Sequence, residues 1–315
     1  MLSRTADHLF WLARYIERAE NIARLLDITC QTSLAPQTEE SASRNWQAAL
    51  LCNDQLPAYL KTYAEVTAEN VLAFMVFDAH NSSSIFSCLK AARENAHAVR
   101  GTLTSEMWET INATWLEIAD IARRQLRDEE FADFFEWVKT RSSLSRGVTF
   151  GTMLHDDAFY FIRLGTYLER ADNTARLLDV KYYLIAEGEP VGTAADYYQW
   201  GALLRSVSAF EIYRRVYRGN VSPGRVADLL ITHAEMPRSL NACMIEVESV
   251  LYKLANQHSH ETQRLAGQLS AQLRYAKIDE ILEDGLHPYL EKFQHRIYDL
   301  GMRISQDFLM PMRAA

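Results

Sequence analysis

A chain of 315 residues with 48% hydrophobic side chains is long enough for one large or two ordinary domains around a sizeable core. Its 12 glycines and 7 prolines are about half the usual share, and no alternating β-run is evident, so an all-α protein is expected. A net charge of −8 and a pI near 5.6 exclude a general attraction to nucleic acid, which takes a basic face.

The first residues, Met1-Leu2-Ser3-Arg4, meet charge before any apolar run, so no secretory signal peptide is expected. Ser3 or Thr5 can cap a first helix running to about Gln31, followed by a polar linker, Thr32–Ser43, that contains Pro36. A second helix from near Ala42 carries Trp46, Leu50 and Leu51, and Pro57 ends or bends it. A third, from about Ala68, carries Val71, Leu72, Met75 and Val76 and stops at residues 78–84. The longest apolar run, Val71–Phe77, is far short of the about 20 residues that span a bilayer, so no membrane span is expected. Asp78 and Asn81 are turn and cap residues, and the next helix starts at the serines after them.

Helices over roughly Ser105–Arg127 and Phe131–Ser145 complete a first half, 1–150, with Gly147–Gly151 as the hinge. The second half, 151–315, opens with a helix from about Leu154 to Ala186, which a Gly-Glu-Pro break at 188–190 follows. Its last helix, Pro288 to about Leu309, carries Leu290, Phe293, Ile297, Leu300, Ile304 and Phe308 at steps of three and four.

One string occurs twice. Tyr15–Asp27 returns at Tyr167–Asp179, a shift of 152 positions, with ten of the thirteen residues identical. Trp46 returns as Trp200 at a shift of 154, and Cys88 as Cys243 at 155, with the segment from Val226 answering the one from Val71. The expected architecture is therefore a duplicated up-and-down helical bundle, two similar halves packed into one continuous core.

On a helix, Leu9, Leu12, Ile16, Ala19, Ala23 and Leu26 form one stripe, while Glu17, Asn21 and Arg24 share another face with Arg14 and Arg18 beside it. Glu169, Arg170, Asn173 and Arg176 repeat that face. Read plainly, it is a solvated surface laced by i,i+4 pairs such as Glu20 with Arg24. A wet face accepts almost any polar residue, however, so its strict retention in the second copy points equally to a buried network or the lining of a site.

Asp78, Asn81, Ser83 and Ser84 open a helix whose free N–H groups could hold an anion, against ordinary capping as the plain alternative. Arg93 and Asn95 are placed to meet the Glu17 face. No His-Glu-x-x-His pair occurs, and Asp7-His8, His155-Asp156 and His233-x-Glu235 point to different helix faces, so no metal site is expected. A Gly-x-Ser-x-Gly elbow, a P-loop and a dinucleotide fingerprint are also missing, so no cofactor is expected. Cys30, Cys52, Cys88 and Cys243 form no C-x-x-C pair and fit reduced thiols in a cytoplasm.

The doubled Tyr-[Ile/Leu]-Glu-Arg-Ala-[Glu/Asp]-Asn string, the opening Leu-Ser-Arg-Thr-Ala-Asp-His-Leu-Phe-Trp and Phe-Asp-Ala-His-Asn-Ser-Ser-Ser-Ile together carry a resemblance. Over essentially its whole length the chain resembles the bacterial alpha-E family, an all-helical family named for its Glu-Arg motif. The motif maps onto Glu17-Arg18 and Glu169-Arg170. The resemblance implies companions, circularly permuted ATP-grasp ligases and transglutaminase-like cysteine peptidases, and through them a role in making, attaching or trimming a peptide. Ser82 stands where the family pattern has proline, and Met236 replaces Asn81 in the second copy, which argues against a symmetric pair of turn sites.

Two functions follow as expectations. One is a non-catalytic helical partner or substrate-presenting subunit for such enzymes, since the chain carries no self-sufficient catalytic constellation. The other is an enzyme with a Glu/Arg-lined cleft between the halves, Glu17 or Glu169 serving as base toward an anionic or peptide substrate. A homo-oligomer is compatible with either.

Overall fold

The computed structural model describes residues 1–33, 38–124, 126–186 and 194–309, and every regular element among them is helical. In chain order these are α1 (Ser3–Ser33), α2 (Glu39–Cys52), α3 (Leu56–Tyr59), α4 (Ala68–Leu72), α5 (Ile85–Ala98), α6 (Ser105–Arg124), α7 (Phe131–Thr152) and α8 (Asp157–Ala186). There follow α9 (Ala194–Ser206), α10 (Phe210–Val216), α11 (Pro223–Ile231), α12 (Leu240–Lys253), α13 (His260–Arg274), α14 (Ile278–Asp284) and α15 (Leu286–Ile304). Single π-turns extend α4 through Phe77 and α15 through Leu309. Of the expected linker Thr32–Ser43, Thr32 and Ser33 end α1 and residues 39–43 already belong to α2, so it is shorter than expected; residues 34–37 and the break at 188–190 lie outside the described residues.

Local chemistry sets about half of the helix starts. Thr38, Thr67, Ser84 and Ser239 each accept a backbone N–H of the first turn of α2, α4, α5 and α12, satisfying donors that have no partner inside the helix. Asp156 does the same for α8, accepting from Ala158 N at 3.0 Å. Pro57 and Pro223 sit in the first turns of α3 and α11, where a missing N–H costs nothing.

The glycines of 147–151 make no hinge. Both lie inside α7, which continues to Thr152, and a Cβ on either would meet open space. The helix persists because Ser142, Ser145 and Thr149 on its other side are buried, and this tertiary hold outweighs the about 1 kcal/mol that a helical glycine costs relative to alanine. The chain instead turns at 153–156.

The long helices α1 and α8 carry the two occurrences of the repeated string. α1 packs on α5 and α7, α8 packs on α12 and α15, and α1 and α8 pack on each other. Contacts spread along the two keep a nearly constant separation in number, 156 for Met1 with Asp157, 155 for Phe10 with Gly165 and 153 for Glu17 with Arg170, so they run parallel. They come into close backbone contact at Gly165, where a Cβ would collide with the Phe10 carbonyl oxygen and lie 3.2 Å from the Ala13 methyl.

The core is two buried clusters joined by half-buried side chains rather than the single one expected. Ala6 to Ile16 of α1 belong to an apolar cluster with α8 and most of the second half, whereas Ala19 to Leu26 belong to a separate one with α2, α4 and the start of α5. Where the two clusters meet, α1 buries two charged side chains, Glu17 and Glu20, while half-buried Tyr15 and Leu25 pack against both clusters. Leu290, Phe293, Ile297, Leu300, Ile304 and Phe308 are all buried, as their spacing requires.

Gly147→Ala and Gly151→Ala are expected to raise stability by about 0.4–1 kcal/mol each, because both positions are helical and unobstructed. Gly165→Ala is expected to lower it by about 1–3 kcal/mol or more by wedging α1 from α8. Urea unfolding midpoints at constant m-value would read all three.

Candidate functional site

The repeated string builds its geometry from helical spacing. In Tyr-x-x-Arg the ring and the guanidinium are three residues apart, hence neighbours on one face. Arg18 lies over the Tyr15 ring at 5.9 Å and Arg170 over the Tyr167 ring at 5.3 Å, which aims each guanidinium across to the other helix. There each finds the glutamate of the other string. Arg170 donates Nε and Nη2 to Glu17 at 2.8 and 2.9 Å, and Arg18 donates Nε and Nη2 to Glu169 at 2.6 and 3.1 Å. These are two bidentate forks exchanged between α1 and α8.

The same exchange occurs nearly two turns further on. Arg24 donates to Ser208 Oγ at 2.8 Å and Arg176 to Asp54 Oδ2 at 2.6 Å, and Asp54 and Ser208 are the non-glycine residues of positive φ, 56° and 54°, among the described residues. Each arginine also closes an i,i+4 pair on its own helix, Arg24 with Glu20 at 2.8 Å and Arg176 with Asp172 at 3.0 Å.

Around Glu17 the lattice is dense. Arg238 donates Nη1 to Asn21 Oδ1 at 2.8 Å and Nη2 to Glu20 Oε1 at 2.8 Å, and lies 3.1 Å from Glu17. Ser142 Oγ donates to Glu20 Oε2 at 2.6 Å, and Arg146 reaches both glutamates. Glu17 is 1% exposed and Glu20 not at all, so the solvated-face reading of these residues is overturned. Burial alone would raise the Glu17 carboxyl. The Arg170 and Arg238 guanidiniums outweigh it and hold that carboxyl below its ordinary range, and Arg238 and Arg146 do the same for Glu20. Burial pushes Arg238 itself down.

Around Glu169 the lattice is thinner. Burial again opposes ionisation, but Arg14 and Arg18 prevail and carry the carboxyl down to about 2. Asp172, the counterpart of Glu20, keeps only Arg176 beside it on α8, and there burial prevails and raises its pKa. The side chains at matching distances in the sequence from the two strings differ. At a shift of 155, Ser142 and Arg146 become Ile297 and Gly301, and Arg238 answers to the short Ser83. The second string is left with a polar cleft of about 220 Å³, lined by Arg18, Asn21, Ser83, Glu169, Asp172, Asn173 and Arg176.

Seven of the eight expected face residues thus fall in the two lattices or bridge them, and Asn173 lines the cleft. The turn residues mostly stay apart. Asp78 accepts from His80 N, Asn81 is buried, accepting from Ser83 N and donating to the Phe74 carbonyl, and Ser84 caps α5, so this helix start is satisfied internally and is no open anion site. Only Ser83 reaches the cleft.

Arg93 and Asn95 do not meet Glu17. Arg93 lies over Trp108 and pairs with Asn112, and Asn95 bonds His8, because their face of α5 turns to α6 and the start of α1. A Glu-x-x-His spacing, Glu94 to His97, is exposed on α5, with His97 packed on Trp108. Glu20, Ser142, Arg146 and Arg238 went unrecognised as site residues. The signals for them were the i,i+4 spacing of Ser142 and Arg146 and the register that sets Arg238 against Ser83.

A helical protein whose Glu-Arg pairs are exchanged across two central helices is, as a class, an all-α Glu-Arg domain. The Alpha-E family, a predicted alpha-helical domain with a conserved ER motif, matches residues 1–309, and the chain belongs to it. Proteins of Mycobacterium bovis and of two strains of Mycobacterium tuberculosis, all described as uncharacterized, are 24% identical over 314 residues, covering 91% of this chain. The matched region is 34% of each, so the chain spans about a third of the length of the curated relatives it matches. No solved structure matches.

Glu17→Gln is expected to destabilise the fold by about 3–5 kcal/mol, the scale for stripping one partner from a buried ion pair. Glu169 gives the fold a pH dependence. Its folded pKa of about 2 lies below the ordinary 4.5, so its contribution is complete above pH ~4.5 and is lost as the pH falls toward 2. Acid titration of wild type and Glu169→Gln by circular dichroism should show that slope flattened in the variant.

Proposed function

We propose that this chain is a non-catalytic helical partner, holding or presenting substrate for a circularly permuted ATP-grasp ligase, a transglutaminase-like peptidase or both, in the synthesis or modification of a peptide. One observation carries the non-catalytic part. The glutamates of both Glu-Arg motifs are paired to guanidiniums and held ionised below their ordinary range, whereas a general base works best with a pKa near the operating pH. The motifs act as a lock between helices. In the mycobacterial relatives the matched region is a third of a longer chain, which supports reading it as a module that works beside other polypeptide.

The two halves, 1–150 and 151–315, are on this reading copies of one up-and-down bundle. The exchanged forks, Arg24 to Ser208 against Arg176 to Asp54, and the buried Tyr59 and Tyr213 at a shift of 154, support it. Four free thiols support a reducing, cytoplasmic setting.

A second reading rests on Asp172, a carboxyl of raised pKa in the polar cleft. In it the chain is an enzyme acting on an anionic or peptide substrate, with Arg18 and Arg176 as binding groups.

The test is co-purification of the tagged chain from its host, beside turnover assays of the chain alone with ATP and peptide. The expected outcome is recovery of a ligase or a peptidase and no turnover. Recovery of neither enzyme would remove the partnership. Turnover by the isolated chain, abolished in Asp172→Asn, would replace it with the second reading.

A further inference from the structure

A second cavity lies on the other side of the Glu-Arg lattice, between α1, α7 and α8. It holds about 200 Å³, less than the roughly 300–1,000 Å³ of pockets that take drug-sized ligands, so its occupant is small. Its floor is apolar, formed by Leu12, Ile16, Met107, Phe159 and Ile162. Its polar wall is cationic, with Arg146, Arg163 and Arg170 against the single carboxylate of Glu17.

Nor is the lattice behind that wall neutral. Among the described residues two buried carboxylates, Glu17 and Glu20, face four guanidiniums, Arg24, Arg146, Arg170 and Arg238, and no further acid lies within ion-pair distance of these arginines. Excess positive charge next to a low-dielectric chamber is unfavourable, and an anion placed there relieves it. Arg163, which lines the cavity, pairs with Glu246 at 2.5 Å through Nη2 and lies over the Phe159 and Tyr167 rings, and among the described residues no protein acceptor takes its Nε or Nη1. Ser145, Thr149 and Thr166 add hydroxyls.

We propose that this cavity binds a small organic monocarboxylate, its apolar body on the Leu12–Met107–Ile162 floor and its carboxylate among Arg146, Arg163 and Arg170. An inorganic anion satisfies the charge but leaves the floor empty, and a neutral apolar molecule does the reverse. The shared chemistry, a carboxylate on an apolar body, belongs both to free branched acids and to the C-terminal residue of a peptide ending in an apolar side chain. This site stands apart from any partnership with a ligase and from the polar cleft at Glu169.

The test is isothermal titration of the full chain with 4-methylpentanoate, N-acetyl-leucine, N-acetyl-leucinamide and inorganic phosphate. The proposal expects one or both acids to bind in a one-to-one ratio, and the amide and phosphate to bind at least tenfold more weakly. Tighter binding of N-acetyl-leucine assigns the peptide terminus, and tighter binding of 4-methylpentanoate the free acid. Arg163→Gln, outside the buried lattice, should weaken the acids about tenfold, the scale of one charge-assisted hydrogen bond. Thr166→Phe, which fills the chamber, should abolish binding; circular dichroism reports whether both variants remain folded. No binding of either acid to the wild type overturns the proposal. So does equal binding of amide or phosphate, or full acid affinity in both folded variants.

Discussion

The packing of α1 on α8 depends on two guanidinium–carboxylate forks that point in opposite directions, Arg170 onto Glu17 and Arg18 onto Glu169. Buried ion pairs add little net stability, because dehydrating the charges offsets their attraction; what they add is intolerance of misfit. A slip of one residue along either helix would turn its glutamate about 100° away from the opposing arginine and leave both charges dry and unpaired. Apolar ridges alone would permit several neighbouring registers. The forks, with the backbone approach at Gly165, permit one.

Once that register is set, the two sides of the crossing differ by a few side chains. Where Ser142, Arg146 and Arg238 close over Glu20, the interior is filled and positively charged. Where Ile297, Gly301 and Ser83 stand in their place, Asp172 is left at the edge of a polar cleft. The difference between the dense lattice and the polar groove is therefore a matter of three side-chain positions within one framework. The apolar chamber, by contrast, is lined by side chains of four helices, α1, α6, α7 and α8, with Met107 and Phe159 among them.

Helix content, about half of the helix starts and the inward stripe of the last helix could be read from the sequence, because capping and periodicity are local properties. The Glu-Arg face could be found for another reason: it is written twice. Its burial was not readable, since Glu17, Asn21 and Arg24 look the same on a wet helix as on a dry one and only the partner helix decides. Arg238 illustrates the limit. It lies 217 residues from Asn21, in a turn whose first-half counterpart is a serine, so neither spacing nor identity marked it. The glycines of α7 misled in the opposite sense, for they have a turn-like composition and a helical environment.

The exchange of forks has the form of a two-fold contact between identical partners, in which residue i of one meets j of the other and j meets i. In a homodimer such a contact is bound by identity, and any change made on one side appears on the other. A single chain that contains both sides is released from that constraint. It can keep Glu17-Arg18 and Glu169-Arg170 as the reciprocal clasp while Arg146 and Gly301, or Ser83 and Arg238, diverge independently. Covalent linkage of the two sides is thus what permits one crossing to be closed on one flank and open on the other.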